Sequence, residues 1–121
     1  MTLLLMAFRQ SPLVDPPPIV VTGNVGQEQV LKAIRIGLLN RHWTETAARP
    51  GAVDASLHLR DHRADIVISY DAHAIQIKYA GSTNLKFETK RDGTRLIHSN
   101  YLGWIDNLVL DIKTELIRSG G

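Results

Sequence analysis

The chain is expected to fold as an α+β two-layer sandwich: a three- or four-stranded antiparallel meander, flanked in sequence by an N-terminal and a C-terminal helix packed on one face. Three observations point there. Residues 99–118 carry a single apolar stripe at helical spacing, residues 53–80 carry apolar side chains at every second position in three successive runs, and the connections between those runs are too short for anything but hairpins. At 121 residues the chain is one domain, long enough to bury a core without covalent staples.

The last helix is the clearest element. Taking 100° per residue, Tyr101, Trp104, Ile105, Leu108, Ile112 and Leu116 fall in a stripe roughly 120° wide, the pattern of a helix packed on a core. Ser99 or Asn100 is placed to cap its start, and Gly120 and Gly121 lie just past its end. The first helix spans Gly26 to Arg41, with Val30, Ile34, Gly37 and Leu38 on one face, Lys32 and Arg35 turned away, and Thr22 or Asn24 placed to cap it. Ile36 and Leu39 sit on its polar side.

Between the helices the period changes to two. Trp43 to Thr46 reads as a short strand ending at the turn Arg49-Pro50-Gly51. In Val53 to Arg60 the set Val53, Ala55, Leu57, Leu59 alternates with Asp54, Ser56, His58, Arg60. Ala64 to Asp71 repeats this with Ile66, Ile68 and Tyr70 inward, and Ala74 to Ala80 with Ile75, Ile77 and Tyr79 inward. The opposite face, with Asp54, His58, Asp65, Asp71, Gln76 and Lys78, has the mixed charge of ordinary solvated surface. Gly81 to Phe87 reads as a loop anchored by Leu85 and Phe87, and Arg91-Asp92-Gly93 as a turn.

Residues 1–18 are expected to form a flexible N-terminal segment and proline tether, with the domain occupying 19–121. Pro12, Pro16, Pro17 and Pro18 fix φ and remove donors, which favours an extended chain. The apolar start, MTLLLMAFRQ, is too short to span a bilayer and has no basic residue ahead of its apolar run, unlike a secretory signal.

Composition excludes several functions. The chain has no cysteine, so disulfides, thiolate catalysis and cysteine-ligated zinc are ruled out. Fourteen Lys and Arg against twelve Asp and Glu give a formal charge of +2, scattered singly or in pairs, and phosphate tracking along a nucleic acid needs a basic stripe. Five histidines raise the question of metal. His58 and His62, with Asp61, form the one spacing worth weighing, but they straddle a strand end, and no metal or other cofactor is expected. For acid–base or nucleophilic chemistry the sequence offers Ser69 with His58, and Asp111 with Glu115 at i,i+4. It has no Gly-x-Ser-x-Gly motif, so no enzymatic activity is expected.

The polar residues Ser82, Asn84, His98 and Asn100, next to Tyr101 and Trp104, are the candidate binding site. They serve either to cap the helix and brace the loop or to meet a sugar, a peptide or a partner loop. Leu102, Leu110 and Ile117, off the core stripe, suggest a surface for self-association.

The residues also carry a resemblance. His62-x-Ala64-x-Ile66-x-Ile68-x-Tyr70, Ile75-x-Ile77-x-Tyr79, Ser82-x-Asn84-Leu85 and Ile97-His98-x-Asn100-Tyr101-x-x-Trp104-Ile105-x-Asn107-Leu108 resemble a group of small proteobacterial envelope lipoproteins, over roughly residues 41–116. That group has no assigned activity. The resemblance implies a periplasmic or outer-membrane setting and an envelope protein or cell-wall fragment as partner. Two departures stand out: the lipid-carrying cysteine is absent, and Leu102 stands where the group has Asn. As written, without a lipidated cysteine, the chain reads as cytoplasmic. The alternative function is then a small cytosolic protein with a weak metal or hydrolytic site.

Overall fold

The computed structural model describes residues 9–120. The elements in chain order are β1 (Gln10–Pro12), β2 (Ile19–Val20), α1 (Gln27–Asn40), β3 (Thr44–Arg49), β4 (Ala52–Leu59), β5 (His62–Tyr70), β6 (Ala74–Thr83), β7 (Glu88–Thr89), β8 (Arg95–His98) and α2 (Ser99–Gly120). The α+β class holds, with one helix before the meander and one after it. The main sheet is antiparallel, five-stranded, in the order β2-β6-β5-β4-β3. Its centre is the expected meander. Val53 faces Ile68 across one hairpin, and Ile68 faces Ile77 across the next, so the alternating apolar set of all three strands lies on a single face.

That face is covered by both helices. Val30, Ala33, Ile34, Gly37 and Leu38 of α1, and Tyr101, Ile105, Leu108, Ile112 and Leu116 of α2, are buried against it. Trp104 departs from the expected stripe: it is half-buried and packs at the rim of the core. Tyr70 and Tyr79 are also half-buried. The face expected to be wet is mostly solvated, but Ser56 is buried there, donating to Asp65 Oδ1, which also accepts from Arg63 Nε at 3.0 Å.

The proline segment is docked, contrary to the expectation of a free tether. β1 pairs with β8, and β7 pairs with β8 on its other side, giving a second, three-stranded sheet. Leu13 is buried, Asp15 Oδ1 accepts the Tyr79 backbone N–H at 2.9 Å, and the Pro16 carbonyl accepts from Gln76 Nε2 at 3.0 Å. Extended backbone with few donors therefore lines the β6 edge and closes it to other strands. The apolar run at residues 1–8 lies outside the described residues.

The helix ends also differ from expectation. α1 starts after Gly26, which has no side chain to cap with, and Gln29 Oε1 accepts the Gly26 N–H at 3.4 Å. At α2, His98 caps in place of Ser99 or Asn100: its Nδ1 accepts the Asn100 N–H at 3.1 Å. Gly120 is the last residue of α2 and does not lie past its end.

Candidate functional site

The loop after β6 gathers all five of the predicted residues. Asn84 and Lys86 have φ of 60° and 54°, a left-handed conformation that turns the chain twice and drives Leu85 into the core, where it is 1% exposed. The Leu85 carbonyl accepts the His98 N–H at 2.8 Å, which ties the loop to the start of α2. Asn84 Nδ2 donates to Asp61 Oδ2 at 2.8 Å, and His62 Nδ1 donates to the Asn84 carbonyl at 2.7 Å. The Ser82 and Tyr79 hydroxyls share a hydrogen bond of 2.7 Å. Tyr79 is sandwiched between Phe87, stacked at 5.0 Å, and Tyr101, edge-on at 5.6 Å. Phe87, read as an anchor, is 40% exposed.

The electrostatics of this cluster follow from burial. The His98 imidazole is held below its usual pKa, first by desolvation and then by Lys86, His62 and Arg9. The buried Tyr101 phenol is pushed well above the usual range, first by desolvation, then by Asp15 and Tyr79. Within the cluster the side chains of Ser82, Asn84 and His98 each have a partner in the chain itself. This is the bonding of a brace, with polar groups consumed in holding Leu85 and the start of α2 in place.

A second constellation forms where α1 ends. Trp43 N–H bonds the Leu38 carbonyl at 2.9 Å and His42 N–H bonds that of Leu39 at 3.2 Å, with His42 at a φ of 65°. This is a Schellman closure, with His42 at the left-handed position usually given to glycine. It sets Trp43 against the end of β4 and the first turns of α2. The result is a cleft of about 480 Å³ lined by Asn40, Arg41, His42, Trp43, Leu57, His58, Leu59, Trp104 and Asn107. Both tryptophans of the chain are in that lining.

The polar groups here are arranged differently. Trp43 is 4% exposed and its Nε1–H is buried with no acceptor among the described residues, an arrangement that costs about 1–3 kcal/mol. The Arg41 guanidinium is held by the Asp111 carboxylate, Nε–Oδ2 at 2.9 Å and Nη2–Oδ1 at 3.2 Å. The side chains of Asn40, His42, His58 and Asn107 lie exposed at the lining. The cleft thus offers indole surface, amide and imidazole groups, and one guanidinium paired with a carboxylate.

The other pairings read from sequence come apart. His58 sits opposite Arg63 and His62 opposite Leu59; His58 borders the cleft while His62 lies beside His98, ring centroids 6.3 Å apart. Among the described residues no group of three or more His, Cys, Asp or Glu is placed to hold a metal ion. Ser69 pairs with Ala52, six residues along β4 from His58, about 20 Å at ~3.3 Å per residue. Asp111 is bound to Arg41 and Glu115 lies near Arg118 at 3.6 Å, so neither is a free partner for the other. Leu110 and Ile117 are 59% and 73% exposed, and Leu102 is half-buried against the core. No helix among the described residues is long and apolar enough to cross a membrane.

The cleft was hidden from sequence reading because Trp43 reads as the start of a strand and Trp104 as a member of a core stripe. The available signal was composition. Each tryptophan has polar, hydrogen-bonding neighbours at short range, Asn40-Arg41-His42-Trp43 and Trp104-x-x-Asn107. Comparison with protein-family models, with curated proteins and with solved structures finds no match to this chain.

Proposed function

We propose that this chain is a non-catalytic binding module of the cell envelope and that its ligand site is the cleft between Trp43 and Trp104. One observation carries the choice of site. In the loop cluster the side chains of Ser82, Asn84 and His98 are spent on partners in the chain, whereas the cleft is lined by Asn40, His42, His58 and Asn107, exposed amide and imidazole groups with no such partner among the described residues, beside Trp43, whose buried Nε1–H has no acceptor. Polar groups left unpaired beside apolar area are the ordinary makeup of a small-molecule site. The envelope setting is supported by the resemblance of residues 41–116, which also suggests a cell-wall fragment as the class of partner.

The test is a two-dimensional NMR titration of the full chain with a soluble cell-wall digest. The indole N–H signals of Trp43 and Trp104 should shift, while the side-chain amide of Asn84 stays put. Shifts confined to the Asn84 and Asn100 amides, with both indoles unmoved, would move the site back to the loop. A signal set unchanged throughout would remove the binding-module reading at this cleft.

A further inference from the structure

We infer that the cleft takes a neutral saccharide, so that the glycan part of a cell-wall fragment, and not its peptide part, is what it meets; this rests on the reading of the cleft as the binding site. A sugar ring has an apolar C–H face and a rim of hydroxyls, each able to donate and accept. The lining supplies the complement of both. Trp104 and Leu59, backed by the buried Trp43 and Leu57, provide flat and apolar area, and Asn40 and Asn107 each provide an amide that donates and accepts side by side.

Charge narrows the class further. No carboxylate lines the cleft, so an ammonium group would find no counter-ion there. The charge of its one guanidinium is already balanced by Asp111, which binds the Nε and Nη2 edge, so a phosphate or carboxylate there would meet an ion pair and not a free cation. A stem-type peptide carries such charges and a neutral sugar does not. The volume of about 480 Å³ lies within the range of ordinary small-ligand pockets.

Because both tryptophans line the cleft, tryptophan fluorescence of the full chain reports on it. The probes are N-acetylglucosamine trimer, maltotriose, the tripeptide Ala-Glu-Lys and inorganic phosphate. One of the two glycans should change the emission saturably, while tripeptide and phosphate should not. Affinity should fall at least tenfold in Asn107→Ala, an exposed position whose replacement leaves the core intact, and stay unchanged in Asn84→Ala. Silence from both glycans overturns the saccharide inference whatever else binds. A response to the tripeptide alone overturns it too, yet leaves the cleft standing as a binding site, and the indole shifts with the cell-wall digest judge the cleft separately. A glycan response that survives Asn107→Ala and Trp104→Ala undiminished would also refute the assignment.

Discussion

Gly37 of α1 and Ile112 of α2 touch so closely that a Cβ on the glycine would stand 2.7 Å from Ile112 Cγ1 and 3.4 Å from the Ile112 backbone nitrogen. The missing side chain is what lets the two helices approach as one layer over the sheet. Alanine in place of a helical glycine ordinarily gains about 1 kcal/mol, so the sign of the substitution is informative. Gly37→Ala should instead lower stability by about 1–2 kcal/mol, as overpacking does. Denaturant unfolding of the single variants and of Gly37→Ala with Ile112→Ala checks this, since the penalty should shrink once Ile112 is truncated. A more stable Gly37→Ala protein would show that the helices part at no cost.

The loop cluster predicts a graded series at Asn84. Its φ of 60° suits Asn or Gly, and its amide holds Asp61. Asn84→Gly keeps the backbone freedom and loses the hydrogen bond, so it should cost about 0.5–1.5 kcal/mol. Asn84→Ala loses both and should cost about 1–3 kcal/mol. Equal costs for the two variants would mean that the left-handed turn contributes nothing.

Much of this architecture was legible because the periods are clean. The alternation at Val53 to Tyr79 could satisfy only one register, since a slip of a single residue would bury Asp65 and expose Ile66. The small sheet escaped because β1, β7 and β8 are two to four residues long, too short for any period, and because prolines conceal a strand that needs only edge hydrogen bonds. The site was half legible. Ser82, Asn84, His98, Asn100 and Tyr101 do come together, but whether polar groups are spent internally depends on partners such as Asp61 and Tyr79, which no local spacing reveals. Trp104 illustrates the limit: a 100° stripe locates the buried face of a helix and does not tell its centre from its rim.

His98 predicts a pH dependence. Its Nδ1 must be unprotonated to accept the Asn100 N–H, and its pKa is held below the usual value by burial, Lys86, His62 and Arg9. With the folded pKa depressed, the unfolded chain binds the proton more readily. The contribution is fully present above the unfolded histidine pKa, about 6.5, and is lost as pH falls toward the folded value. Protonation would also place a positive charge at the start of α2, where the helix dipole opposes it. Melting temperature should therefore fall between pH 7 and pH 5, and His98→Asn, which can still cap, should flatten that slope. A variant with an unchanged slope would assign the dependence to another group.

Trp104 separates stability from binding. Because it sits half-buried at the rim, Trp104→Ala should cost about 1–2 kcal/mol, well under the 3–5 kcal/mol of a fully buried aromatic. The protein should remain folded by circular dichroism and lose glycan affinity. A loss of 4 kcal/mol or more, on the scale of full core truncations, would return Trp104 to the core and take away the wall of the cleft.

His42 occupies the position in the α1 closure that a glycine fills with least strain: a φ of 65°, between Arg41 and the buried Trp43, with its imidazole exposed at the cleft. If the residue served only the turn, glycine would do the same work better, because a non-glycine residue in the left-handed region carries about 1 kcal/mol of strain. His42→Gly should therefore raise stability by about 0.5–1 kcal/mol once the greater freedom of the unfolded glycine is counted. The same variant should bind glycan more weakly, because the imidazole is one of the few exposed polar groups at the cleft mouth. The two measurements pull in opposite directions only when strain at a turn is tolerated for the sake of a site. A His42→Gly protein that is more stable and binds as well as the parent would leave the histidine a turn residue and nothing more; one that is less stable would mean that its side chain supports the closure of α1.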